Sequence, residues 1–332
     1  MSPADRNDPT SLFKAAQAGD RVSLARLLSL VERGGAPSRV TAVLAYQAKL
    51  TAYTVGITGA PGAGKSTLVD QLIAIARASD QVGVLAIDPS SPFSGGAILG
   101  DRVRMQNHAL DDGVFIRSMA TRGQLGGLAV AVPDAVRVLS AAGFPMVLIE
   151  TVGVGQQEVS IASAADTTVV VVNPGWGDSI QANKAGLMEI ADLFVINKAD
   201  RPGAPETRRD LEQMLDLTDL DDLDGWRPPV VETVASAGDG CDQLWDAVGR
   251  HRAHLTERGL LDERRRRRLE REFRQILVAR VEQRIDSSQF GEVLAEVTKA
   301  LAAGDIDPYE AADRMLIDIA NHEARIDDDS SA

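Results

Sequence analysis

The chain has 332 residues, of which 44% are hydrophobic and 25% charged, a composition typical of globular proteins with a sizeable core. Its formal net charge of −13 argues against nucleic acid as a general partner, because phosphate binding requires a basic surface. The single cysteine, Cys241, excludes an internal disulfide and favours a reducing compartment. No run approaches the roughly 20 apolar residues of a membrane span, and the polar start MSPADRNDPT lacks a signal-peptide pattern. We therefore expect a cytoplasmic protein that binds neither membranes nor nucleic acid.

The first part of the chain, residues 1–50, is predicted to be a helical extension. Residues 1–10 are polar and are expected to be disordered. Apolar residues at helical spacing over 11–33 predict two short helices with a break near Gly19 and Asp20, ending at Gly34. A third helix is expected over 38–50.

The middle of the chain, residues 51–250, alternates short apolar runs with helical patterns. Strands that are apolar on both faces and separated by helices are typical of a parallel sheet covered on both sides. The predicted strands are YTVGIT (53–58), VGVLAI (82–87), VFI (114–116), MVLIET (146–151), TTVVVV (167–172), LFVIN (193–197) and VVETV (230–234).

The last part, residues 251–332, is again predicted to be helical. A long arginine-rich helix is expected over 260–285, and a final helix begins at Asp307, which is followed by proline and, at the third helical position, by Glu310. The run Arg264–Arg268 could suggest RNA binding, but within a long helix of an acidic protein a solvated or partner-facing surface is the favoured interpretation.

The stretch GAPGAGKST has the spacing of a phosphate-binding loop, or P-loop, and stands between a predicted strand and a predicted helix. Its glycines let backbone N–H groups turn toward phosphate oxygens, and the helix N-terminus adds a favourable dipole. We expect Lys65 to contact the β- and γ-phosphates and Ser66 to bind Mg²⁺. The fold class is therefore predicted to be α/β, a P-loop NTPase with a mostly parallel sheet and helical extensions at both ends. The predicted phosphate-binding residues are Gly59, Ala60, Pro61, Gly62, Ala63, Gly64, Lys65, Ser66 and Thr67.

Magnesium bound beside this loop requires carboxylates nearby. Asp88 and Glu150 stand at the ends of two predicted strands, and Asp101 lies in the segment between strands. A carboxylate at the carboxyl end of a central strand points to the edge where ligands bind in open α/β sheets. Asp88, Asp101 and Glu150 are therefore the candidate metal ligands, together with Ser66.

The sequence Asn197-Lys198-Ala199-Asp200 follows a predicted strand directly and is typical of a guanine-binding segment. The Asp200 carboxylate can accept two hydrogen bonds, from N1–H and the 2-amino group of guanine. Adenine offers neither donor, and unpaired buried polar groups cost roughly 1–3 kcal/mol each. Ser236 and Ala237, after the strand VVETV, stand where a second base-contacting loop is expected. The predicted ligand is therefore GTP or GDP.

Four segments of the chain resemble the MeaB/MMAA family of GTPases, and the resemblance runs from about residue 11 to about residue 316. Those segments are DPSSPFSGGAILGDRVRM, IRSMATRGQLGGLA, IETVGVGQQE and GDSIQANKAGLMEIADLFVINKAD. Members of this family act as chaperones for adenosylcobalamin-dependent acyl-CoA mutases, above all methylmalonyl-CoA mutase. The resemblance implies the same GTPase activity and partner for this chain, and a homodimer formed through the C-terminal helices.

The resemblance also assigns roles to individual residues. Asp101 matches the acid of switch I that approaches magnesium, and Gly153 matches a glycine that senses the γ-phosphate. Gln156 lies in switch II, and residues 177–184 match a third switch that communicates with the mutase. The candidates for a catalytic role are Lys65, Asp88, Asp101, Glu150 and Gln156. The residue that positions the attacking water stays open, with Asp88, Glu150 and Gln156 as the possibilities.

Three other functions stay open at this point. A small-molecule kinase of the arginine/ornithine transport type would transfer phosphate to an acceptor, although the guanine-binding segment counts against an ATP-dependent version. A metallochaperone-like nickel GTPase would usually carry His-rich or Cys–His sites, which this sequence lacks. A GTP-regulated targeting module would require a methionine-rich cargo surface, and the seven methionines are scattered.

Overall fold

The computed structural model describes residues 8–89, 108, 110–121, 127–151, 164–175, 190–217, 224–285 and 290–318, with the backbone alone at 88, 89, 120, 121 and 127–130. The chain forms two compact units, Met1–Leu269 and Glu270–Ala332. The predicted division at residues 50 and 250 stays a prediction.

The first unit is built on a seven-stranded sheet whose recorded strand pairs are all parallel. The strands are β1 (Tyr53–Gly59), β2 (Val82–Pro89), β3 (Val114–Thr121), β4 (Met146–Thr151), β5 (Thr167–Val172), β6 (Leu193–Asn197) and β7 (Val230–Thr233). Their order in the sheet is β3-β2-β4-β1-β5-β6-β7. The predicted α/β fold with a parallel sheet is confirmed, and all seven predicted strands are present.

Helices cover both faces of this sheet. In the first unit they are α1 (Pro9–Gln17), α2 (Arg21–Arg33), α3 (Gly35–Gln47), α4 (Lys65–Arg77), α5 (Gly127–Ala141), α6 (Ala204–Asp216) and α7 (Cys241–Glu257). Helices α4 and α7 share one apolar core with the sheet, and α1, α2 and α5 build a second core against β2, β3 and β4. Helix α6 closes a third, smaller core over β5 and β6. Every residue of β1, β4, β5 and β6 is buried, as expected for strands covered on both sides.

The N-terminal helices differ from the sequence prediction at their boundaries. Helix α1 already begins at Pro9, because the Asp8 carboxylate accepts the Ser11 N–H at 2.9 Å and caps the first turn. The expectation of disorder is therefore wrong for residues 8–10, and residues 1–7 lie outside the described residues. Helix α3 covers 35–47 rather than 38–50. Gly34 ends α2 with φ +75°, as its position after the apolar pattern predicts.

A buried carboxylate, Asp166, stands directly before β5 at the amino edge of the sheet and is 1% exposed. One oxygen accepts the Thr54 N–H at 3.0 Å, and Arg265 donates to both oxygens at 3.1 and 2.7 Å. Arg268 also donates to this carboxylate. Burial opposes ionisation, but the hydrogen bonds and charges of Arg265 and Arg268 outweigh it, so the pKa of Asp166 lies below its ordinary value.

A second carboxylate at the same edge, Asp192, precedes β6 and accepts a hydrogen bond from Arg264 at 2.9 Å. His251 of α7 is fully buried beside it, with Nε2 3.2 Å from the carboxylate and Nδ1 2.8 Å from the Thr167 hydroxyl. The same hydroxyl lies 2.6 Å from the phenol of Tyr53, and burial raises the pKa of this phenol to about 12. Hydrogen bonds therefore join β1, β5 and α7 through Tyr53, Thr167 and His251, and the Asp192 carboxylate lies between His251 and Arg264 of the next helix.

These contacts correct the interpretation of the run Arg264–Arg268 as a solvated or partner-facing surface. Arg264, Arg265 and Arg268 neutralise carboxylates at the sheet edge, and their side chains are only 28, 24 and 16% exposed. The Arg267 side chain is 59% exposed and pairs with Glu263 four residues earlier, and Arg266 is exposed as well. Three of the five arginines therefore have an internal role, because the helix packs them onto buried carboxylates that would otherwise be uncompensated.

The arginine run belongs to α8 (Leu260–Ile285), which begins in the first unit and continues into the second. The second unit also contains α9 (Gly291–Ala303) and α10 (308–318). Asp307 accepts the N–H groups of Tyr309 and Glu310 at 2.8 and 2.9 Å and caps α10, as the sequence predicts. The bounds of α8 agree with the predicted helix over 260–285.

Candidate functional site

The P-loop connects the end of β1 to the start of α4 and lies at the carboxyl edge of the sheet. Gly59 pairs with Val171 of β5 and has φ +137°. A Cβ atom at position 59 would lie 2.0 Å from the Val171 carbonyl oxygen. Gly64, at φ +88°, leaves room for the Asn197 amide, which a Cβ would meet at 2.4 Å. Both positions therefore require glycine for backbone conformation and for space.

Lys65 opens α4 and is 6% exposed, although lysine is almost never buried without partners. Its ammonium donates to the Gly59 and Ala60 carbonyls at 2.6 and 3.0 Å, and so lies across the loop. The N-terminus of α4 presents N–H groups and a positive dipole end at the same place. The loop therefore gathers positive potential where a phosphate would bind.

Glu150 and Ser66 meet beside the loop. The Ser66 hydroxyl donates to Glu150 Oε1 at 2.6 Å, and the two residues are 6 and 1% exposed. Glu150 is on β4, in register with Ile57 of β1 and Ala86 of β2, so it points from the middle of the sheet to the first turn of α4. A hydroxyl and a carboxylate are oxygen donors of the kind that Mg²⁺ prefers, and this pair fits the predicted magnesium site.

Asn197 holds three loops together at the end of β6 and is 2% exposed. Its amide nitrogen donates to the Ala63 carbonyl at 2.8 Å. Its oxygen accepts from the Thr233 hydroxyl and from the Ala235 N–H, both at 3.1 Å. The P-loop, the guanine-binding segment and the loop after β7 are therefore fixed to one another by a single side chain.

The remaining guanine-binding candidates surround this junction. Lys198 has the left-handed φ of +61° and donates to the Gly62 carbonyl at 2.7 Å. Asp200, Ser236 and Ala237 are exposed at the same edge, as are Pro61, Gly62 and Thr67 of the P-loop. The structure thus brings the predicted phosphate-binding and base-binding segments together around one cleft.

Several predicted site residues lie outside the described residues: Asp101, Gly153, Gln156 and the third switch, 177–184. Asp88 is the next-to-last residue of β2, in register with Ala120 of β3, and only its backbone is described. Their assigned roles stay predictions.

Two residues of the site have no motif that would reveal them. Thr233 orients Asn197 from the neighbouring strand β7, and Asn173 follows β5 and donates from its amide nitrogen to the Gly62 carbonyl at 3.4 Å. Both contacts depend on which strands are neighbours in the sheet, and the sequence gives no local signal for that order.

Comparison with known proteins gives a consistent result. A family model described as "Methylmalonyl Co-A mutase-associated GTPase MeaB" matches residues 24–289. The chain belongs to the MeaB family. As a MeaB-family protein with this site it is a GTPase and binds guanine nucleotide, which confirms the predicted family and the predicted activity.

Individual relatives agree with the family assignment. A Pyrococcus abyssi relative is 52% identical over 314 residues, which are 93% of this chain and 96% of that protein. GTPase ArgK of Escherichia coli is 36% identical over 76% of this chain and 78% of its own length. The mouse "Methylmalonic aciduria type A homolog, mitochondrial" is 31% identical over 95% of this chain and 80% of its own length.

Among solved structures, one described as an "LAO/AO transport system kinase" superposes with a TM-score of 0.71 and 25% identity, covering 96% of this chain and 99% of that one. Within the described part of this MeaB-family chain, no helix is both long and apolar enough to cross a bilayer. The same residues contain no cluster of three or more His, Cys, Asp or Glu side chains arranged to hold a metal ion.

Proposed function

We propose that this MeaB-family GTPase is a chaperone of an adenosylcobalamin-dependent acyl-CoA mutase, most directly methylmalonyl-CoA mutase, and that it couples GTP binding and hydrolysis to cofactor loading and protection of the mutase. The observation that carries this proposal is the family match over 24–289 on a chain whose P-loop and guanine-binding segment share one cleft. The name of the mouse relative, a methylmalonic aciduria type A homolog, supports methylmalonyl-CoA as the substrate class of the partner.

The residues of the cleft have separate roles in GTP binding and hydrolysis. Lys65 and the N-terminus of α4 neutralise charge on the β- and γ-phosphates, and the glycines bring backbone N–H groups close to the same oxygens. Asp200 selects guanine through two hydrogen bonds. Magnesium, when bound, supplies further charge neutralisation at the phosphates, and Ser66 and Glu150 would hold it, with Asp88 and Asp101 as the other proposed acids.

Replacing Glu150 by Gln is expected to raise the Mg²⁺ concentration required for tight nucleotide binding by about 10- to 100-fold, because a neutral amide is a weaker magnesium partner than a carboxylate. The measurement is a Mg²⁺ titration of fluorescent GDP binding. Thr151→Val is the matched control, since Thr151 follows on the same strand and its hydroxyl contacts Thr58 at 3.2 Å instead. An unchanged Mg²⁺ midpoint in Glu150→Gln would contradict the proposed site.

Hydrolysis is proposed to be slow until a partner completes the site. Of the candidates for orienting the attacking water, Gln156 and the side chain of Asp88 lie outside the described residues, and the Glu150 carboxylate accepts a hydrogen bond from Ser66. Unassisted small GTPases turn over at around 10⁻⁴ s⁻¹. We expect a rate of that order for the protein alone and an increase of at least tenfold with a cobalamin-dependent acyl-CoA mutase from the same organism.

The test is a measurement of phosphate release with and without the mutase, with Lys65→Ala as the blank. A rate of GTP hydrolysis that no available mutase changes would be consistent with GTPase activity but would overturn the proposed partner. Transfer of labelled phosphate to a small acceptor would support the kinase alternative. A basal rate above about 1 s⁻¹ would contradict partner control.

The homodimer is proposed for the second unit, Glu270–Ala332. Helix α8 has no buried residue, and Phe273, Leu277 and Val278 on it are 65, 50 and 56% exposed. On α10, Leu316 and Ile317 are 54 and 58% exposed. Apolar surface of this extent is typical of a contact with another chain, and sedimentation as a monomer at micromolar concentration would contradict the dimer.

A further inference from the structure

Two consecutive carbonyl groups of the P-loop, those of Gly62 and Ala63, are held by side chains from the ends of β5 and β6. Asn197 and Lys198 supply two of the hydrogen bonds, at 2.8 and 2.7 Å. Asn173 supplies the third, from its amide nitrogen to Gly62 at 3.4 Å. Asn197 and Lys198 belong to the guanine-binding segment, whereas Asn173 belongs to no nucleotide-binding motif.

Asn173 is placed for this contact by the sheet. It directly follows β5, and Val171, two residues earlier, pairs with Gly59 at the entry to the P-loop. The side-chain oxygen of Asn173 is buried and has no hydrogen-bond partner among the described residues. A carboxamide oxygen can accept two hydrogen bonds, and leaving it unpaired in a buried place is costly.

The Lys198 ammonium is the candidate hydrogen-bond donor for this Asn173 oxygen. It carries three N–H groups, of which the Gly62 carbonyl takes one, and the Asn173 amide is within hydrogen-bonding distance of that same carbonyl oxygen. Lys198 and Asn173 therefore converge on one atom of the loop from two neighbouring strands. The shared carbonyl thus places a charged donor with free N–H groups and an unpaired acceptor on side chains that contact the same atom.

We propose that Asn173 is a positioning residue of the nucleotide site, which ties the P-loop to Lys198 and thereby slows nucleotide release. Its nitrogen fixes the Gly62 carbonyl, and its oxygen accepts from the Lys198 ammonium when nucleotide is bound. The P-loop and the guanine-binding segment then open only together. This inference rests on guanine-nucleotide binding and does not depend on the proposed mutase partner.

The experiment measures release of a fluorescent N-methylanthraniloyl derivative of GDP from the full-length protein by stopped flow. Asn173→Ala is expected to release it about tenfold faster than wild type, and Asn173→Ser should do the same because its hydroxyl is too short to reach Gly62. The midpoint of thermal unfolding without nucleotide should change little, because a single exposed hydrogen bond of 3.4 Å contributes little to the stability of the fold.

Thr207→Val is the matched control. Thr207 accepts the Gly175 N–H at 3.3 Å and so holds the same segment two residues later, without contacting the P-loop. Its release rate should stay within about twofold of wild type, since the P-loop contacts are intact. Equal acceleration in Thr207→Val and Asn173→Ala would overturn the proposal, because loosening of the segment would then suffice.

A double-mutant cycle of Asn173→Ala with Lys198→Ala tests whether Asn173 slows nucleotide release through Lys198 or independently of it. If the two side chains act as a unit, the double variant releases nucleotide little faster than Lys198→Ala alone, with a coupling of at least threefold. Additive effects would overturn the proposed link. All these rates are measured without a mutase, so failure of the mutase assay leaves this test unaffected.

Discussion

Asp200→Asn is expected to change the base that the protein accepts from guanine to xanthine. Guanine presents two donors, N1–H and the 2-amino group, to the Asp200 carboxylate. Xanthine replaces the 2-amino donor with a carbonyl acceptor, which matches the amide N–H of asparagine. Because sites built to pair with a polar group strongly reject ligands that lack it, GDP affinity should fall by roughly 100-fold or more and XDP affinity should rise correspondingly.

The structure supports this experiment because the backbone around Asp200 is fixed independently of its side chain. The Ala199 N–H donates to the Thr233 carbonyl, and the Arg201 N–H donates to the Lys198 carbonyl, both at 3.0 Å. The exchange of carboxylate for amide should therefore leave the loop in place. Asp200 is exposed, so the substitution is expected to cost little stability.

The measurement is competition of GDP and XDP against a fluorescent nucleotide, for wild type and variant. Asp210→Asn on the exposed side of α6 is the matched control for the loss of one negative charge, and it should leave both affinities unchanged. If Asp200→Asn keeps its GDP affinity within about threefold, Asp200 does not read the base.

Asp166→Asn is expected to lower the free energy of unfolding of the first unit by about 3 kcal/mol or more, because it leaves two largely buried guanidinium groups without their counter-charge. Because Asn can still accept a hydrogen bond from the Thr54 N–H, the loss of stability measures mainly the effect of the missing charge. Glu263→Gln removes the carboxylate of an exposed pair with Arg267 and should cost less than about 1 kcal/mol.

The effect of Asp166→Asn should depend on pH with a definite sign. The folded-state pKa of Asp166 lies below the ordinary value of 3.8, because Arg265 and Arg268 outweigh the effect of burial. The carboxylate therefore stabilises the fold above about pH 4, and this stabilisation is lost as the pH falls through the lowered pKa. The difference between wild type and Asp166→Asn should be full at pH 7 and shrink below pH 4.

Tryptophan fluorescence can follow urea unfolding of this region at pH 7, 5 and 3. Trp226 packs 4.9 Å from the His251 ring and donates to the Asp192 carbonyl at 2.8 Å, so it reports on the same edge of the sheet. Equal urea midpoints for Asp166→Asn and wild type at pH 7 would show that the arginines find other partners or water at no cost.

Much of the fold follows from local patterns in the sequence. The uniformly apolar runs 167–172 and 193–197 predict buried strands, and both are buried throughout. The cap at Asp307 and the break before Asp20 are equally local, since each depends on residues within one helical turn. The boundary of α1 was missed because the cap at Asp8 precedes a proline within a polar segment whose composition resembles disorder.

The sequence alone determined the family resemblance, the parallel α/β architecture and the chemical identity of the nucleotide-binding segments, because each is encoded in a few contiguous residues whose spacing carries the chemistry. The tertiary structure decided which distant residues meet. Arg265 and Asp166 are 99 positions apart, and Asn173 and Gly62 are 111 apart. Their pairing depends on the strand order β4-β1-β5-β6, which brings the amino ends of β1 and β5 to the arginines and their carboxyl ends to the P-loop. No local pattern contains that order, because it results from the packing of the whole sheet.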